Sequence, residues 1–191
     1  FIIIYMTLNP SNNKSLLGYN EFFLKLKKLY DQKVLPNKII FSGIKGIGKA
    51  TLSYHLTNYI FSQKEENKYD YINNTIVENN YSFNLVNKNT HPNFFLISND
   101  DDKKNIQISK IREMINFTNK SSFNGDDKII LIDNVELLNI NSINALLKIA
   151  GKKPAQLVAS DMGFAVAPRL NAAGRLDDIS YGIQCLLTDD P

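Results

Sequence analysis

At 191 residues the chain has room for one large domain, or for one domain and a fragment of another. An apolar fraction of 43% permits a packed core, and a formal charge of +3 is too small to argue for nucleic acid on charge alone. The single cysteine, Cys185, excludes a disulfide framework and a cysteine zinc cluster within the chain, in agreement with a reducing, cytoplasmic setting. The opening run Phe1 to Tyr5 is apolar but far short of the roughly 20 residues that a membrane span needs. It also lacks the basic start and small-residue cleavage site of a signal peptide. Met6 follows at once and reads as the start, with residues 1–5 as read-through or else as a short buried strand.

Asn20 to Asp31 reads as an amphipathic helix, with Phe22, Phe23, Leu26, Leu29 and Tyr30 on one stripe. Leu35-Pro36-Asn37 breaks the chain. Lys38 to Ser42 then reads as a short buried strand through Ile39, Ile40 and Phe41. After a glycine-rich turn, Lys49 to Phe61 reads as helix. Gln63 to Thr90 is Asn-rich without a clear period, and is either a poorly ordered excursion or a small insert. Asn93 to Ser98 reads as a second strand and Asn99 to Lys104 as a charged loop. Gln107 to Lys120 reads as helix with Ile108, Ile111 and Ile115 on one face. Gly125-Asp126-Asp127 is a turn. Lys128 to Ile132 is a third strand, aliphatic after its lysine as expected when both faces are buried. Asn141 to Ile149 begins another helix. Strands alternating with helices argue for a parallel α/β layer.

Gly43-Ile44-Lys45-Gly46-Ile47-Gly48-Lys49 sits between a predicted strand and a predicted helix, the context that a phosphate loop requires. Glycines let successive backbone N–H groups curl around an anion. The helix start adds positive potential, and the lysine reaches the terminal phosphates. The pattern then wants Ser or Thr to hold magnesium, but Ala50 stands there and Thr51 comes one place later. One residue along a helix turns the hydroxyl by about 100°. The second half of such a site is a strand ending in an acid, which Ile129 to Asp133 supplies. Hydrolysing versions carry Glu next, and Asn134 occupies that place. The candidate nucleotide-binding residues are therefore Gly43, Gly46, Gly48, Lys49, Thr51 and Asp133. The alternative is that the glycines form only a tight strand-to-helix turn. ATP is compatible with the loop, magnesium handling is in doubt, and no zinc is expected.

Leu35 to Gly43, Gly46 to Leu52, His91-Pro92-Asn93-Phe94-Phe95, the helix Ile108 to Phe117, and Asp133 with Asn144-Ala145-Leu146-Leu147-Lys148 carry a resemblance. They resemble the delta-prime subunit of the bacterial DNA polymerase III clamp loader over roughly residues 7–149. The resemblance implies a truncated P-loop AAA+ parallel sheet with flanking helices, often with a degenerate nucleotide site. It implies partners among the other clamp-loader subunits and, through them, the sliding clamp and primer-template DNA. Some members carry a cysteine zinc module before the His-Pro segment, where this chain has no cysteine. After Lys148 the family continues with an acidic turn, a further strand, an arginine-finger segment, a lid and a collar, and these motifs are not found here. In the family's sheet that further strand lies between the phosphate-loop strand and the Asp133 strand. A weakened or rearranged core and an incompletely assembled nucleotide site are therefore expected.

Composition changes abruptly between Leu146 and Gly151. Ala50 is the only alanine before Ala145, and seven follow from Ala150 to Ala173. Arg112 is the only arginine before Arg169 and Arg175. The two vocabularies look like pieces of two proteins, divided as 1–149 and 150–191, with 145–151 acceptable in either. Ala159 to Phe164, Pro168 to Leu176 and Leu186 to Asp189 resemble RecJ-type single-stranded-DNA exonucleases, enzymes of DNA repair. That part is expected to be short and mostly helical. Arg169 and Arg175 are candidate nucleic-acid contacts because guanidinium suits planar, bidentate phosphate recognition. Surface or structural arginines are the alternative. The metal-binding Asp and His motifs of that family are absent, so no nuclease activity is expected from the tail.

Other residues carry less. His55 and His91 have no partner ligands at metal spacing and are expected to pack or cap. Asp100-Asp101-Asp102 with Lys103-Lys104 reads as a solvated loop. Tyr69, Tyr71, Tyr81 and Phe83 lack basic interleaving and are expected to be partly buried. Cys185 lies in an apolar run and reads as a small core residue. The leading reading is a cytoplasmic, non-hydrolysing, delta-prime-like module with no activity of its own and no membrane association. A working ATPase, with Lys49 on the phosphates and Thr51 or Asp133 serving magnesium, is the first rival. An exonuclease-type DNA-processing fragment or a non-functional chimera is the second.

Overall fold

A computed structural model describes residues 9–98, 106–138 and 141–143. The described elements are helices α1 (Asn20–Asp31), α2 (Lys49–Phe61) and α3 (Tyr81–Asn87), strand β1 (Phe94–Ile97), helix α4 (Ile108–Asn119) and strand β2 (Ile129–Ile132), with four short 3-10 turns. They group into two compact units, residues 9–96 with 117–131, and residues 97–98, 106–116, 132–138 and 141–143.

The first unit is built on α1 and α2. Helix α1 runs over the expected residues, with Glu21 in its first turn, Lys28 in its last and a Lys27–Asp31 pair at 2.7 Å one turn apart. Its apolar stripe is narrower than expected. Phe23 and Leu26 are buried, Tyr30 packs at the edge of the core, and Phe22 and Leu29 are exposed. Helix α2 buries eight consecutive residues, Leu52 to Tyr59, and so is enclosed nearly all round. Phe23 lies between the two, its ring 5.9 Å from Tyr59 and 5.0 Å from Tyr69. Aromatic pairs at such spacing add attraction beyond the area they bury.

Gln63 to Thr90 proves to be a small ordered insert, and polar bonds rather than apolar periodicity organise it. Asn80 caps α3, its side-chain oxygen accepting from the Phe83 N–H at 2.7 Å. The same oxygen accepts from Asn58 Nδ2 on α2 at 2.7 Å, and Asn80 Nδ2 donates to the Asn67 carbonyl at 2.6 Å. Asp70 and Thr75 exchange backbone bonds of 2.9 Å around a turn that Asn74 closes in the left-handed conformation. Tyr69, Ile76 and Phe83 then join the α1–α2 core. Tyr71 and Tyr81, by contrast, are exposed, so the expected partial burial of the four aromatics holds for only two of them.

Strands β1 and β2 pair as a two-stranded parallel sheet. The Ile129 N–H donates to the Asn93 carbonyl at 2.9 Å and the Asp133 N–H to the Ile97 carbonyl at 2.8 Å, one constant offset. In sequence α4 comes between the strands, and the carbonyls of Phe117, in its last turn, and of Lys120, just past its end, receive the Lys128 ammonium. Every residue of β2 is half-buried, which corrects the expectation of a strand covered on both faces. The strand expected at 38–42 is not formed either. Its residues join no sheet among the described residues, and Ile39 and Ile40 are 36% and 42% exposed. A strand exists only by hydrogen bonding to a neighbour, and none of the described strands pairs with this one.

In the second unit Ile97, Ile106, Ile111, Met114 and Leu138 are buried. Ile106 bridges Leu138 in parallel, its N–H donating to the Leu137 carbonyl at 2.9 Å. On α4, Ile111 is buried and Ile108 and Ile115 half-buried, with Met114 completing the face. Residues 141–143 are helical, as expected for the start of a helix there. Residues 1–8, the charged loop at 99–104, the rest of the helix to Ile149, and the whole tail with Arg169, Arg175 and Cys185 lie outside the described residues.

Candidate phosphate-loop site

The loop from Gly43 to Gly48 leads directly into α2. Gly48 is the N-cap residue at φ 95°, and a Cβ there would meet the Tyr19 ring at 3.3 Å. Both facts call for glycine: the left-handed backbone strains a side chain, and the ring leaves little space for one. Tyr19 closes over the loop, its hydroxyl donating to the Ile47 carbonyl at 2.7 Å. Gly46 is also left-handed, at φ 86°, a backbone conformation that favours glycine.

The lysine of the loop points back into it. Lys49 Nζ donates to the carbonyls of Gly43 at 2.8 Å and Ile44 at 2.9 Å. An incoming phosphate must draw the ammonium off these two acceptors before the lysine serves it. Ala50 and Thr51 form the first turn of α2, so the position that would hold magnesium presents a methyl group. Gly43, Gly46, Gly48, Lys49 and Thr51 are thus brought together in one loop and helix start. Asp133 directly follows β2 in the second unit. Next to it Asn134 is left-handed at φ 55° and opens a 3-10 turn over Val135–Leu137. Asn tolerates that conformation better than Glu, so the departure at Asn134 has a local backbone reason as well as a chemical consequence.

Sequence reasoning missed the role of Tyr19, which lies 28 residues before its acceptor. No local pattern signals a contact across that separation. It also missed the polar anchor behind the loop. His55, fully buried on α2, joins Tyr69 through Nδ1 at 2.8 Å and the Asn13 carbonyl through Nε2 at 3.0 Å. A carbonyl only accepts, so Nε2 carries the proton and Nδ1 accepts from the tyrosine hydroxyl. Burial drives the His55 pKa down to about 4, against a small opposing effect of the Asn13 carbonyl. His91 packs instead by stacking on Phe61 at 3.9 Å. Both histidines are therefore structural, as their spacing implied. Among the described residues no cluster of His, Cys, Asp or Glu is arranged to hold a metal ion, and no helix is long and apolar enough to cross a membrane.

A second polar cluster braces α1. Asp31 accepts from Lys27 at 2.7 Å and from the Tyr59 hydroxyl at 2.6 Å, and Tyr30 donates to Asp127 at 2.8 Å. Burial works to raise the Asp31 pKa, but the bonds from Lys27 and Tyr59 outweigh it and hold it below the usual carboxylate range. Burial and the bond to Asp31 push the Tyr59 hydroxyl up to about 12.

Comparison with known proteins agrees with both resemblances. The family model described as DNA polymerase III, delta subunit, matches residues 18–159. A DNA polymerase III subunit delta' from Buchnera aphidicola subsp. Baizongia pistaciae is 28% identical over 141 residues, covering 68% of this chain and 40% of the relative. The subunit delta' of Pseudomonas aeruginosa is 31% identical over 64 residues, covering 34% of this chain and 20% of the relative. The single-stranded-DNA-specific exonuclease RecJ of Dickeya dadantii is 62% identical over 48 residues, covering 25% of this chain but only 8% of the exonuclease. The chain thus spans a minor part of the length of each of these relatives. The delta-subunit model covers most of the chain, and the chain belongs to the DNA polymerase III, delta subunit family, among relatives that are delta-prime subunits.

Proposed function

We propose that this chain serves DNA replication as a cytoplasmic, architectural module of the delta-prime type, contacting other clamp-loader subunits without turning over ATP. The observation that carries the reading is the state of the phosphate loop. Lys49 is bonded to the Gly43 and Ile44 carbonyls, and the residue after it is Ala50, which offers magnesium no ligand. Asn134, in place of a glutamate that would orient water, supports the same reading. Any ATP binding then rests on Gly43, Gly46, Gly48, Lys49 and Thr51 alone, with Asp133 contributing no metal step. Gel filtration of the chain mixed with the remaining subunits of a bacterial clamp loader tests the reading. Co-elution without ATP, unchanged in Lys49→Ala, supports it. Failure to co-elute overturns it.

A second reading rests on the 48-residue exonuclease likeness. The tail then supplies Arg169 and Arg175 as phosphate contacts for single-stranded DNA, with no nuclease chemistry of its own. Its test is anisotropy of a labelled oligothymidylate. Salt-sensitive binding that Arg169→Ala with Arg175→Ala abolishes supports it, and binding that survives both substitutions counts against it.

A further inference from the structure

Five asparagines hold the left-handed conformation among the described residues: Asn74, Asn79, Asn89, Asn124 and Asn134. Four of them precede Thr75, Asn80, Thr90 and Val135, whose side chains crowd the next backbone nitrogen. Asn124 alone precedes a glycine, and it forms the only Asn-Gly pair in the sequence. Asn124 and Gly125 are both exposed, and a Cβ added at Gly125 would meet nothing within 4 Å. The turn is held from behind. Asn93, buried just before β1, accepts from the Phe123 N–H at 2.7 Å and donates to the Phe123 carbonyl at 3.0 Å. The same carbonyl accepts from the Asp126 N–H at 3.2 Å. The Phe123 side chain is exposed, so Asn93 grips the backbone and not the ring. Past the turn, Asp126 pairs with Lys64, and Asp127 accepts from Tyr30 at 2.8 Å.

We propose that Asn124 is a site of spontaneous deamidation whose rate is set by the Asn93 clamp. The Gly125 nitrogen attacks the side-chain carbonyl carbon of Asn124. A C–N bond forms, the side-chain nitrogen leaves as ammonia with the proton that the Gly125 nitrogen gives up, and a succinimide ring closes. Water then adds to either ring carbonyl and opens the ring to aspartate or isoaspartate, with nothing oxidised or reduced. Glycine favours the attack because no Cβ shields its nitrogen. The folded turn resists it. Ring closure needs the Asn124 Cβ eclipsed with the Gly125 nitrogen, and ψ 19° keeps the two apart. The turn must therefore open about Asn124 first, against the two bonds that Asn93 makes to Phe123. Conversion places a new carboxylate beside Asp126 and Asp127, and isoaspartate also lengthens the main chain. Both changes loosen the ties of the turn to Lys64 and Tyr30. The inference does not rest on the clamp-loader reading, since it needs this turn alone.

The test incubates the full chain in mildly alkaline buffer, folded and in urea. Peptide mass spectrometry locates the amide-to-acid change, and isoaspartyl methyltransferase labelling scores isoaspartate. The expected result in the folded chain is conversion at Asn124 ahead of every other asparagine, more slowly than in urea. Asn93→Ala cuts the clamp and should speed the folded reaction roughly tenfold, from the two lost bonds. Circular dichroism checks that this variant is folded. Gly125→Ala sets a Cβ beside the attacking nitrogen and should suppress conversion in the folded and the unfolded chain alike. That comparison stands even where Asn93→Ala fails to fold. Conversion of another asparagine first, or none at Asn124 in the folded chain by the time the urea sample has converted fully, overturns the proposal. So does an equal rate in the folded chain and in urea, or a folded Asn93→Ala no faster than the native chain.

Discussion

His55 shows how one side chain couples the loop's supporting helix to solvent conditions. Its folded pKa lies near 4, below the usual 6.5 of the unfolded chain. The neutral ring is the native form, so its contribution is fully present above pH 6.5 and is lost as pH falls toward 4, where the unfolded state takes a proton that the folded state refuses. The total loss is about 3 kcal/mol. The downward shift of His91, from burial, has the same sign. Urea midpoints measured from neutral pH to about pH 4.5 should fall steeply in the native chain and less steeply in His55→Gln. Equal slopes would show that His55 is not the proton-linked group. Gly48 makes a second point at this scale. Gly48→Ala imposes a left-handed alanine and presses a methyl against Tyr19, and should cost about 1–3 kcal/mol by thermal unfolding. Tyr19→Phe keeps the ring over Gly48 and loses only the hydroxyl bond to Ile47, and should cost about 0.5–1.5 kcal/mol; a loss as large as that of Gly48→Ala would mean that the hydroxyl bond, not the ring contact, holds the loop closed.

At the scale of elements, what was legible in the sequence depended on whether an element is made by local forces. Helices α1 and α2 fall on the expected residues because the signals act within each segment: an apolar stripe with Glu21 and Lys28 at the ends of α1, and the glycine before Lys49 at the start of α2. Phe22 and Leu29 stand outside the core because a helical wheel marks an apolar stripe without saying how wide the facing surface is. The strand at 38–42 was unreadable for a different reason: its composition favours a strand, but a ladder needs a neighbour that composition does not supply. The insert hid its order in asparagines, which hydropathy scores as loop while they cap, bridge and close turns. Asn80→Ala tests that view. It removes the α3 cap and leaves Asn58 Nδ2 without its acceptor, and should cost about 2–4 kcal/mol in denaturant unfolding. A change below about 0.5 kcal/mol would mean that the insert is held by Tyr69, Ile76 and Phe83 alone.

For the whole molecule, the glycine turn that opens α2 and the strand that ends before Asp133 were both legible, because each is a short run with strict residue demands. Their joint use depends on the sheet rather than on either run, and the resemblance implied a site left incompletely assembled. The described sheet has two strands, and the first strand that the loop context calls for is not among them. The loop therefore keeps its local geometry, with Lys49 on its own carbonyls, while the elements that make such a loop a catalyst are altered at Ala50 and Asn134. Family membership and a lysine bonded to its own loop carbonyls are the two observations on which the proposal of a subunit that contributes surface rather than chemistry rests. Phosphate release from ATP, measured on the purified full chain with and without magnesium and beside Lys49→Ala, is the measurement that decides. Release by the native chain no faster than by the variant, and unchanged by magnesium, is the expected result. Magnesium-dependent release that Lys49→Ala abolishes would contradict it and make this chain a working ATPase.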